Sequence, residues 1–310
     1  ESGKTAAELK STLTTEVSSL GGFLVAGTVS ERIRSRAASF SVVRPRTQVE
    51  LADQERPTLP IILGSGDLYA NGLRGGWYAE TQSIEGREES ITLGAIKIPT
   101  DIWRLRAKVS KSLMQDAGAR LVGEFEHAIA LAKTVSEDAA FLTGSGVSEP
   151  LGLLAQQAPG VLANKDIRVV NSGAAADVTA DGLVNMLYSL PAQYRLAPGF
   201  AVVCNAATLK RIRLLKDSAN RYLFNPENHT IDGYTIAESE AMPAIAADAY
   251  PVLAGDFGGY AIVDRIELAI VARDDSKTAE VDQIWFDTRS RLGGTPAEGY
   301  RFSALKCSAS

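Results

Sequence analysis

The stretch from residue 47 to residue 108 constrains the fold more than any other segment, because it places two extended arms around a glycine-rich tip. Its second arm ends in strict alternation, with apolar residues such as Trp103 on one face and Arg104, Arg106 and Lys108 on the other. Such alternation predicts a β-strand. Compact domains usually connect their elements with roughly 4 to 6 residues. We therefore expect this long hairpin to bury its apolar side on a neighbouring subunit.

Composition indicates a globular protein and argues against some classes of binding partner. A hydrophobic fraction of 45% and a charged fraction of 22% are ordinary for such proteins. The net charge, 32 minus 37 or −5, argues against a general nucleic-acid binder, since phosphate binding depends on clustered Lys and Arg. The sequence has no run near the roughly 18 apolar residues of a membrane span, so we expect no membrane partner. Cys204 and Cys307 form no disulfide framework, and Cys204 is interpreted as a core residue in a reducing compartment.

Charge is distributed unevenly along the first third of the chain. Residues 1–46 carry seven basic and four acidic groups, net +3, whereas residues 47–100 carry four basic and eight acidic groups, net −4. Two interpretations remain open. The two segments either meet between chains as complementary partners or are solvated faces of mixed sign.

Periodicity divides the rest of the chain into a long helix and an α/β unit. An apolar stripe that starts after a cap at Ser110 or Ser112 and ends at Gly144 predicts a helix of about 30 residues. Residues 166–273 alternate between strand and helix patterns, which predicts a compact α/β unit. The tail returns to strand character. We expect a tail strand to lie beside the long helix.

No motif predicts catalysis, a metal or a cofactor. His127 and His229 are 102 positions apart, so no local spacing supports a metal site, and no nucleophile elbow or phosphate loop is present. The triplet 256–258 resembles the metal-binding triplet of protein kinases, but Gly255, Gly258 and Gly259 are interpreted as allowing a tight turn near Tyr260. The acidic pairs at 88–89 and 274–275 are interpreted as solvated turns. We predict a protein that is not an enzyme.

An ordered series of short motifs runs from Gly21 to Leu305. It comprises GGFLV (21–25), WYAE (77–80), ITL (91–93), VSKSLMQD (109–116), DAAFLTGSG (138–146), EPLGLL (149–154), NAATL (205–209), GDF (255–257) and RSRLGG (289–294). Together they resemble the major capsid protein family of tailed double-stranded DNA phages, which has the Hong Kong phage-type shell fold.

The resemblance implies an α+β fold in four parts. They are an N-terminal arm (1–46), an extended loop (47–108), a peripheral domain with a spine helix (109–165 and 274–310) and an α/β axial domain (166–273). It also implies proteolytic maturation that removes an N-terminal scaffolding segment, and a start at Glu1 fits such a cleavage. The implied product is an icosahedral phage head of pentamers and hexamers that encloses double-stranded DNA.

The implied partners are copies of the chain itself, the portal, decoration proteins and packaged DNA in weak, non-specific contact. The implied location is the virion, with assembly in the host cytoplasm. We expect two groups of site residues: Trp77, Tyr78 and Glu80 as loop contacts between subunits, and Arg32, Arg34 and Arg36 as an interior basic face.

Some members of this family link their subunits through an isopeptide bond between a loop lysine and an asparagine. Here no lysine lies between Lys10 and Lys97, and no asparagine stands out as a partner for Lys97. We therefore predict that subunits lock together without covalent bonds.

Two other functions compete with the capsid interpretation. An encapsulin-type nanocompartment shares the shell fold, but it begins with a cargo-docking helix, whereas this start is polar. An α/β enzyme of unidentified activity is the second alternative. The missing nucleophile, metal cluster and phosphate loop argue against it.

Overall fold

The fold is described from a computed structural model, which covers residues 33, 37, 41–53, 56–62, 77, 93–216, 219–223, 230–273 and 282–309. Within these ranges four α-helices have defined bounds: α1 (Lys111–Thr143), α2 (Ala180–Tyr188), α3 (Ala192–Arg195) and α4 (Ala206–Arg213). Ile33 and Ala37 are also helical. The strands are β1 (Gln48–Leu51), β2 (Thr58–Ile62), β3 (Leu93–Lys97), β4 (Asp101–Ser110), β5 (Gln156–Ala158), β6 (Val161–Leu162), β7 (Arg168–Asn171), β8 (Phe200–Cys204), β9 (Thr230–Ile231), β10 (Tyr234–Glu238), β11 (Val252–Asp256), β12 (Tyr260–Arg273), β13 (Gln283–Pro296) and β14 (Phe302–Lys306).

The chain divides into two compact units, each built from three segments. Unit 1 comprises Glu1–Ser41, Ile102–Ser136 and Ile266–Leu292. Unit 2 comprises Val42–Asp101, Glu137–Arg265 and Gly293–Ser310.

A four-stranded sheet has the order β1-β12-β13-β4. Within unit 1, the strands β4, β12 and β13 alternate between buried and more exposed side chains, as a sheet covered on one face requires. The buried face packs against α1 and Ile33. Its core contains Ile129, Ala130, Leu268, Ile270, Ile284 and Phe286, with Trp103, Leu105, Val109 and Phe125 packed around them.

The long helix α1 begins and ends where the sequence predicted, after Ser110 and before Gly144. It begins directly after Ser110 and extends for 33 residues, or roughly 50 Å at 1.5 Å per residue. A Cβ atom on Gly144 would lie 2.4 Å from the Ala140 carbonyl oxygen and 2.3 Å from that of Pro150. Only glycine fits this close approach, so the helix ends at Thr143.

Unit 2 contains a six-stranded sheet with the order β7-β14-β11-β8-β10-β9. Every residue of β8 and β11 is buried, which shows that both faces of the sheet centre are covered. Thr179 caps α2 by accepting a hydrogen bond from the Gly182 amide, and Asn205 caps α4 through the Thr208 amide. Leu183, Met186, Leu209 and Ile212 project from these helices into the core.

Predictions of strand placement are confirmed for β13 and wrong for β14 and for the end of β12. We expected a tail strand beside the long helix, and Ile284 and Phe286 of β13 do pack in one core with α1. β14, however, pairs in parallel with β7 and antiparallel with β11, inside the six-stranded sheet. We also expected residues 266–273 in the α/β unit, but they belong to β12 and pack in the core of unit 1. Both errors have one cause, because an apolar strand pattern does not specify which distant strand it pairs with.

The predicted hairpin is present but shorter than expected. β2 and β3 pair antiparallel from Thr58 opposite Lys97 to Ile62 opposite Leu93. β1 instead pairs in parallel with β12, and β4 is part of the four-stranded sheet. The two arms of the hairpin are therefore β2 and β3, which form a two-stranded sheet of their own. Of the tip, only Trp77 is among the described residues.

Candidate interaction surfaces

A partly buried ionic cluster in unit 2 ties the segment before β1 to the end of α1. The Arg44 side chain donates from Nε to Glu137 at 2.7 Å, and from Nη1 and Nη2 to Asp264 at 2.9 Å each. The Glu137 side chain is only 3% exposed. Burial by itself lowers the pKa of Arg44, but hydrogen bonds and attraction from Asp264 and Glu137 outweigh it and raise that pKa. The Arg44 guanidinium therefore stays charged, and its bonds to two distant segments fix the chain at this point.

A second hydrogen bond strengthens the same anchor. The Val42 amide donates to the Asp138 carboxylate at 2.9 Å, one residue beyond Glu137 on α1. An ionised acceptor makes such a bond stronger than a neutral one. Val42 and Arg44 therefore bind adjacent carboxylates of one helix.

The open face of the sheet in unit 1 carries charged side chains from three strands. Arg106 donates to both Asp287 oxygens at 2.5 and 2.9 Å, and Arg273 approaches the same carboxylate at 2.7 Å. The guanidinium of Arg106 and the ammonium of Lys108 lie 5.0 and 4.8 Å from the centroid of the Trp285 ring. The hydrogen bond from Arg106 lowers the pKa of Asp287, which keeps the carboxylate ionised.

Unit 2 exposes large apolar side chains outside its sheet. Leu196 is 79% exposed and Tyr222 is 59% exposed. Tyr188 donates its hydroxyl to Asp232 at 3.0 Å, and the Arg195 guanidinium lies 4.4 Å from the Tyr188 ring centroid. The hydrogen bond to Asp232 raises the pKa of Tyr188.

Among the predicted contact residues, Trp77 is described and its side chain is fully exposed, at 102%. Tyr78 and Glu80 lie outside the described residues. Arg32, Arg34 and Arg36 lie outside them as well. The roles of all six residues stay predictions.

The kinase-like triplet forms a turn. The Asp256 carboxylate accepts from the Gly258 amide at 3.1 Å and from Arg301 at 2.8 Å, and a short 3-10 helix covers Phe257–Gly259. This confirms the predicted tight turn at these glycines. The Asp256 carboxylate caps this turn and anchors Arg301.

No cluster of three or more His, Cys, Asp or Glu side chains in the described ranges is arranged to hold a metal ion. His127 is exposed on α1, while His229 and the acidic pairs at 88–89 and 274–275 lie outside those ranges. Burial raises the pKa of the Cys204 thiol to about 12, consistent with its predicted core position. In the same ranges, no helix is long and apolar enough to cross a membrane.

Comparison with protein families identifies the chain. The model of the phage capsid family matches residues 21–307. The chain belongs to the phage capsid family. It is therefore a structural protein, and the predicted Hong Kong phage-type α+β fold is confirmed.

Solved structures of related capsids agree with this assignment. The capsid of a native GTA particle, computed with C5 symmetry, is 28% identical, with a TM-score of 0.69 over 96% of this chain and 99% of that one. The capsid of the empty GTA particle is 27% identical, with a TM-score of 0.68 over 86% and 90% of the two chains. A structure from Mycobacterium phage Bobi, 14% identical with a TM-score of 0.62 over 87% and 91%, shares the fold. A comparison with curated protein sequences found no match.

Two groups of residues in this capsid protein were not found from its sequence. Arg44 is 93 positions from Glu137 and 220 from Asp264, and no local pattern connects them. The sequence did place Arg104, Arg106 and Lys108 on one face of a strand. It gave no signal that Arg273 and Arg289 join that face, because their strands are far away in the chain.

Proposed function

We propose that this phage capsid protein is a major capsid protein that assembles with copies of itself into the pentamers and hexamers of an icosahedral head around double-stranded DNA. The family match over residues 21–307 carries the proposal. The C5 symmetry of the GTA capsid, 28% identical over 96% of this chain, supports pentamers.

The β2–β3 hairpin is proposed to reach onto an adjacent subunit, with Trp77, Tyr78 and Glu80 as contacts. Trp77 supports this role because an indole that is 102% exposed in the single chain has much apolar surface left to bury. Burying roughly 200 Å² of a large aromatic side chain contributes about 5 kcal/mol before the costs of ordering are subtracted. Such contacts, each repeated around a closed shell, add up through multivalency.

The subunits are proposed to lock without covalent bonds. Lys97, the first lysine after Lys10, lies on β3 in the paired part of the hairpin. Shells of the protein, boiled in denaturant and separated on a gel, are expected to give one band at 33.0 kDa. A ladder of linked subunits would contradict this part of the proposal.

The further partners are proposed to be the portal, decoration proteins and packaged DNA, with Arg32, Arg34 and Arg36 on the interior side. Assembly takes place in the host cytoplasm and the product is the virion. The chain is proposed to have no enzymatic activity. No observation favours the encapsulin or α/β enzyme alternatives over this function.

Electron microscopy of the purified, concentrated protein tests the proposal. Closed shells with five-fold vertices are the expected result, and shells from infected or induced cells are expected to contain DNA. Shells filled with an enzyme would favour the encapsulin alternative. A stable monomer under all conditions of salt, pH and concentration would contradict both shell functions.

A further inference from the structure

The outward side of α4 in unit 2 carries a lysine and a leucine one helical turn apart. Leu209 and Ile212 point from this helix into the core. Lys210 and Leu214 therefore lie on the opposite side, where residues four apart are neighbours. The Leu214 side chain is 48% exposed. Nothing else in the described part of the unit covers this side of the helix.

The chain after α4 folds back and enlarges the same surface. The Leu223 amide donates to the Leu215 carbonyl at 3.0 Å, and the Lys216 ammonium lies 4.8 Å from the centroid of the Tyr222 ring. Tyr222 and Leu223 are both exposed. Exposed large apolar side chains flanked by charge are typical of a protein contact. We call the following residues the α4 surface: Lys210, Leu214, Lys216, Tyr222 and Leu223.

A loop of the same unit, residues 238–247, carries the opposite charge, and we call it the acidic loop. Its exposed side chains are two carboxylates and three small apolar groups: Glu238, Glu240, Ala244, Ala246 and Ala247. The Asn205 side-chain amide holds the loop by donating to the carbonyl oxygens of Met242 and Pro243 at 3.2 and 3.3 Å. The loop is therefore fixed before a partner arrives, which lowers the entropy lost on binding.

Charges of opposite sign are segregated in this part of the chain. Residues 182–216 carry five Lys or Arg and no Asp or Glu, and residues 230–264 carry six Asp or Glu and no Lys or Arg. Within the described ranges, Lys210, Glu238 and Glu240 take part in no ion pair. Three other carboxylates do form ion pairs inside the unit: Asp248 with Lys306, Asp256 with Arg301 and Asp264 with Arg44. The charges of the α4 surface and the acidic loop are thus available to a neighbour.

We propose that the α4 surface of one copy binds the acidic loop of the next copy around a ring of subunits. This inference rests on the proposed capsid function and adds a second interface to the hairpin contact. Lys210 and Lys216 pair with the two glutamates of the loop. Leu214 and Tyr222 pack on its alanine side chains.

The opposite charges of the two surfaces favour a ring. Head-to-tail contacts join two different surfaces of a subunit and close into rings, whereas a two-fold contact joins a surface to itself. An α4 surface that met its own copy would place lysines opposite lysines, and an acidic loop would place glutamates opposite glutamates. Like charges across an interface are unfavourable. The charge pattern therefore selects the head-to-tail arrangement that the proposed pentamers and hexamers require.

Double-stranded DNA fits the α4 surface less well than the acidic loop does. Contacts to phosphate use charged and polar groups and backbone amides. A duplex would leave Leu214, Tyr222 and Leu223 without apolar partners. The acidic loop offers carboxylates for the lysines and methyl groups for the apolar side chains.

The test measures the protein concentration at which shells form, by light scattering of the full chain. Lys210→Glu/Lys216→Glu and Glu238→Lys/Glu240→Lys each place like charges across the interface. Each is expected to raise that concentration at least about tenfold in about 50 mM salt. The difference from the wild type is expected to shrink in about 1 M salt, where the Debye length is about 3 Å.

A matched control and a folding control accompany the two variants. Lys165→Glu/Asp166→Lys reverses two exposed charges elsewhere in unit 2 and is expected to assemble like the wild type. Urea unfolding of the unassembled proteins is expected to give unchanged midpoints, because all the substituted side chains are exposed.

Mixing the two double variants shows whether the contact joins different copies. In a hexamer the variants can alternate, so every interface regains opposite charges, and an equimolar mixture is expected to form shells at a lower concentration than either variant alone. The quadruple variant, which carries all four substitutions, is expected to recover assembly as well. A contact within one subunit would be restored in the quadruple variant but not in the mixture.

Several outcomes would overturn the inference. They are normal assembly of either double variant, a mixture no better than its components, and a folded quadruple variant that stays impaired. Impairment of the lysine variant alone would mean that the α4 surface binds another segment or another partner. Wild-type protein that forms no shells under any condition would instead contradict the proposed function. Wild-type shells together with unaffected variants would contradict only this interface.

Discussion

The two sheets of this capsid protein differ in how many of their faces the chain itself covers. In the six-stranded sheet every residue of β8 and β11 is buried, so both faces are covered. In the four-stranded sheet β4 alternates between half-buried and exposed residues, and one face stays open. A sheet covered on both faces stabilises its own unit. A sheet covered on one face keeps its other face exposed, and on β4 that face carries Arg104, Arg106 and Lys108.

The largest expected effect comes from a core truncation in the sheet that is covered on both faces. Phe302 is fully buried and packs edge-to-face on Phe257 at 5.5 Å, so Phe302→Ala is expected to lower the free energy of unfolding by about 3–5 kcal/mol. Phe286→Ala is the matched control in the other sheet, where Phe286 packs on Phe125 at 4.9 Å, and the expected loss is near 3 kcal/mol. Urea unfolding of unassembled protein measures both. A larger loss for Phe286→Ala would contradict the comparison.

The next effect concerns the ionic cluster of Arg44, in which the Glu137 side chain is buried. Glu137→Gln keeps the shape of the side chain but removes the charge that faces the Arg44 Nε, and it is expected to cost roughly 2–4 kcal/mol. Glu124→Gln, on the exposed side of the same helix, should change stability by less than about 0.5 kcal/mol. Urea unfolding again provides the measurement. Equal effects of the two substitutions would show that the cluster does not anchor the segment before β1.

A third prediction separates subunit stability from assembly. Trp77 is fully exposed in the single chain, so Trp77→Ala is expected to leave the unfolding midpoint of the unassembled subunit unchanged. A buried interface tryptophan contributes about 2 kcal/mol or more, which corresponds to roughly a 30-fold rise in the concentration needed to form shells. Light scattering against protein concentration measures this rise. Unchanged assembly would remove Trp77 from the contact.

The smallest effect is expected at Asp287. Arg106 lowers the folded pKa of this carboxylate, so its stabilising contribution is complete at neutral pH. As the pH falls, this contribution begins to be lost near 3.8, the ordinary pKa of an aspartate side chain, and is gone below the lowered folded pKa. Asp287→Asn should therefore cost less than about 1 kcal/mol at pH 7 and match the wild type at lower pH.

Patterns confined to one segment were predictable from the sequence. The stop of α1 at Gly144, the alternation in β4 and the antiparallel pairing of β2 with β3 all depend on neighbours within the same stretch of chain. The capsid family also followed from the order of its motifs. In each case the information lies in a single segment or in the order of segments.

Choices between distant partners were not predictable. β12 and β14 both have strand patterns, but only the complete fold decides that β12 joins the four-stranded sheet and β14 the six-stranded one. The ionic cluster has the same origin, since Arg44, Glu137 and Asp264 come from three segments that lie far apart in the chain. Long-range pairing depends on loop-closure entropy and on packing of the whole unit, which local periodicity does not contain.

The position of β14 has a consequence for synthesis on the ribosome. The strand β7 pairs with β14, which the ribosome delivers about 130 residues later, or roughly 7–26 s at ordinary elongation rates. During that interval the six-stranded sheet is incomplete, and β7 has no strand to pair with in it. A nascent subunit that still lacks β14 therefore has an incomplete six-stranded sheet. The arrival of β14 sets the earliest time at which this sheet can be finished.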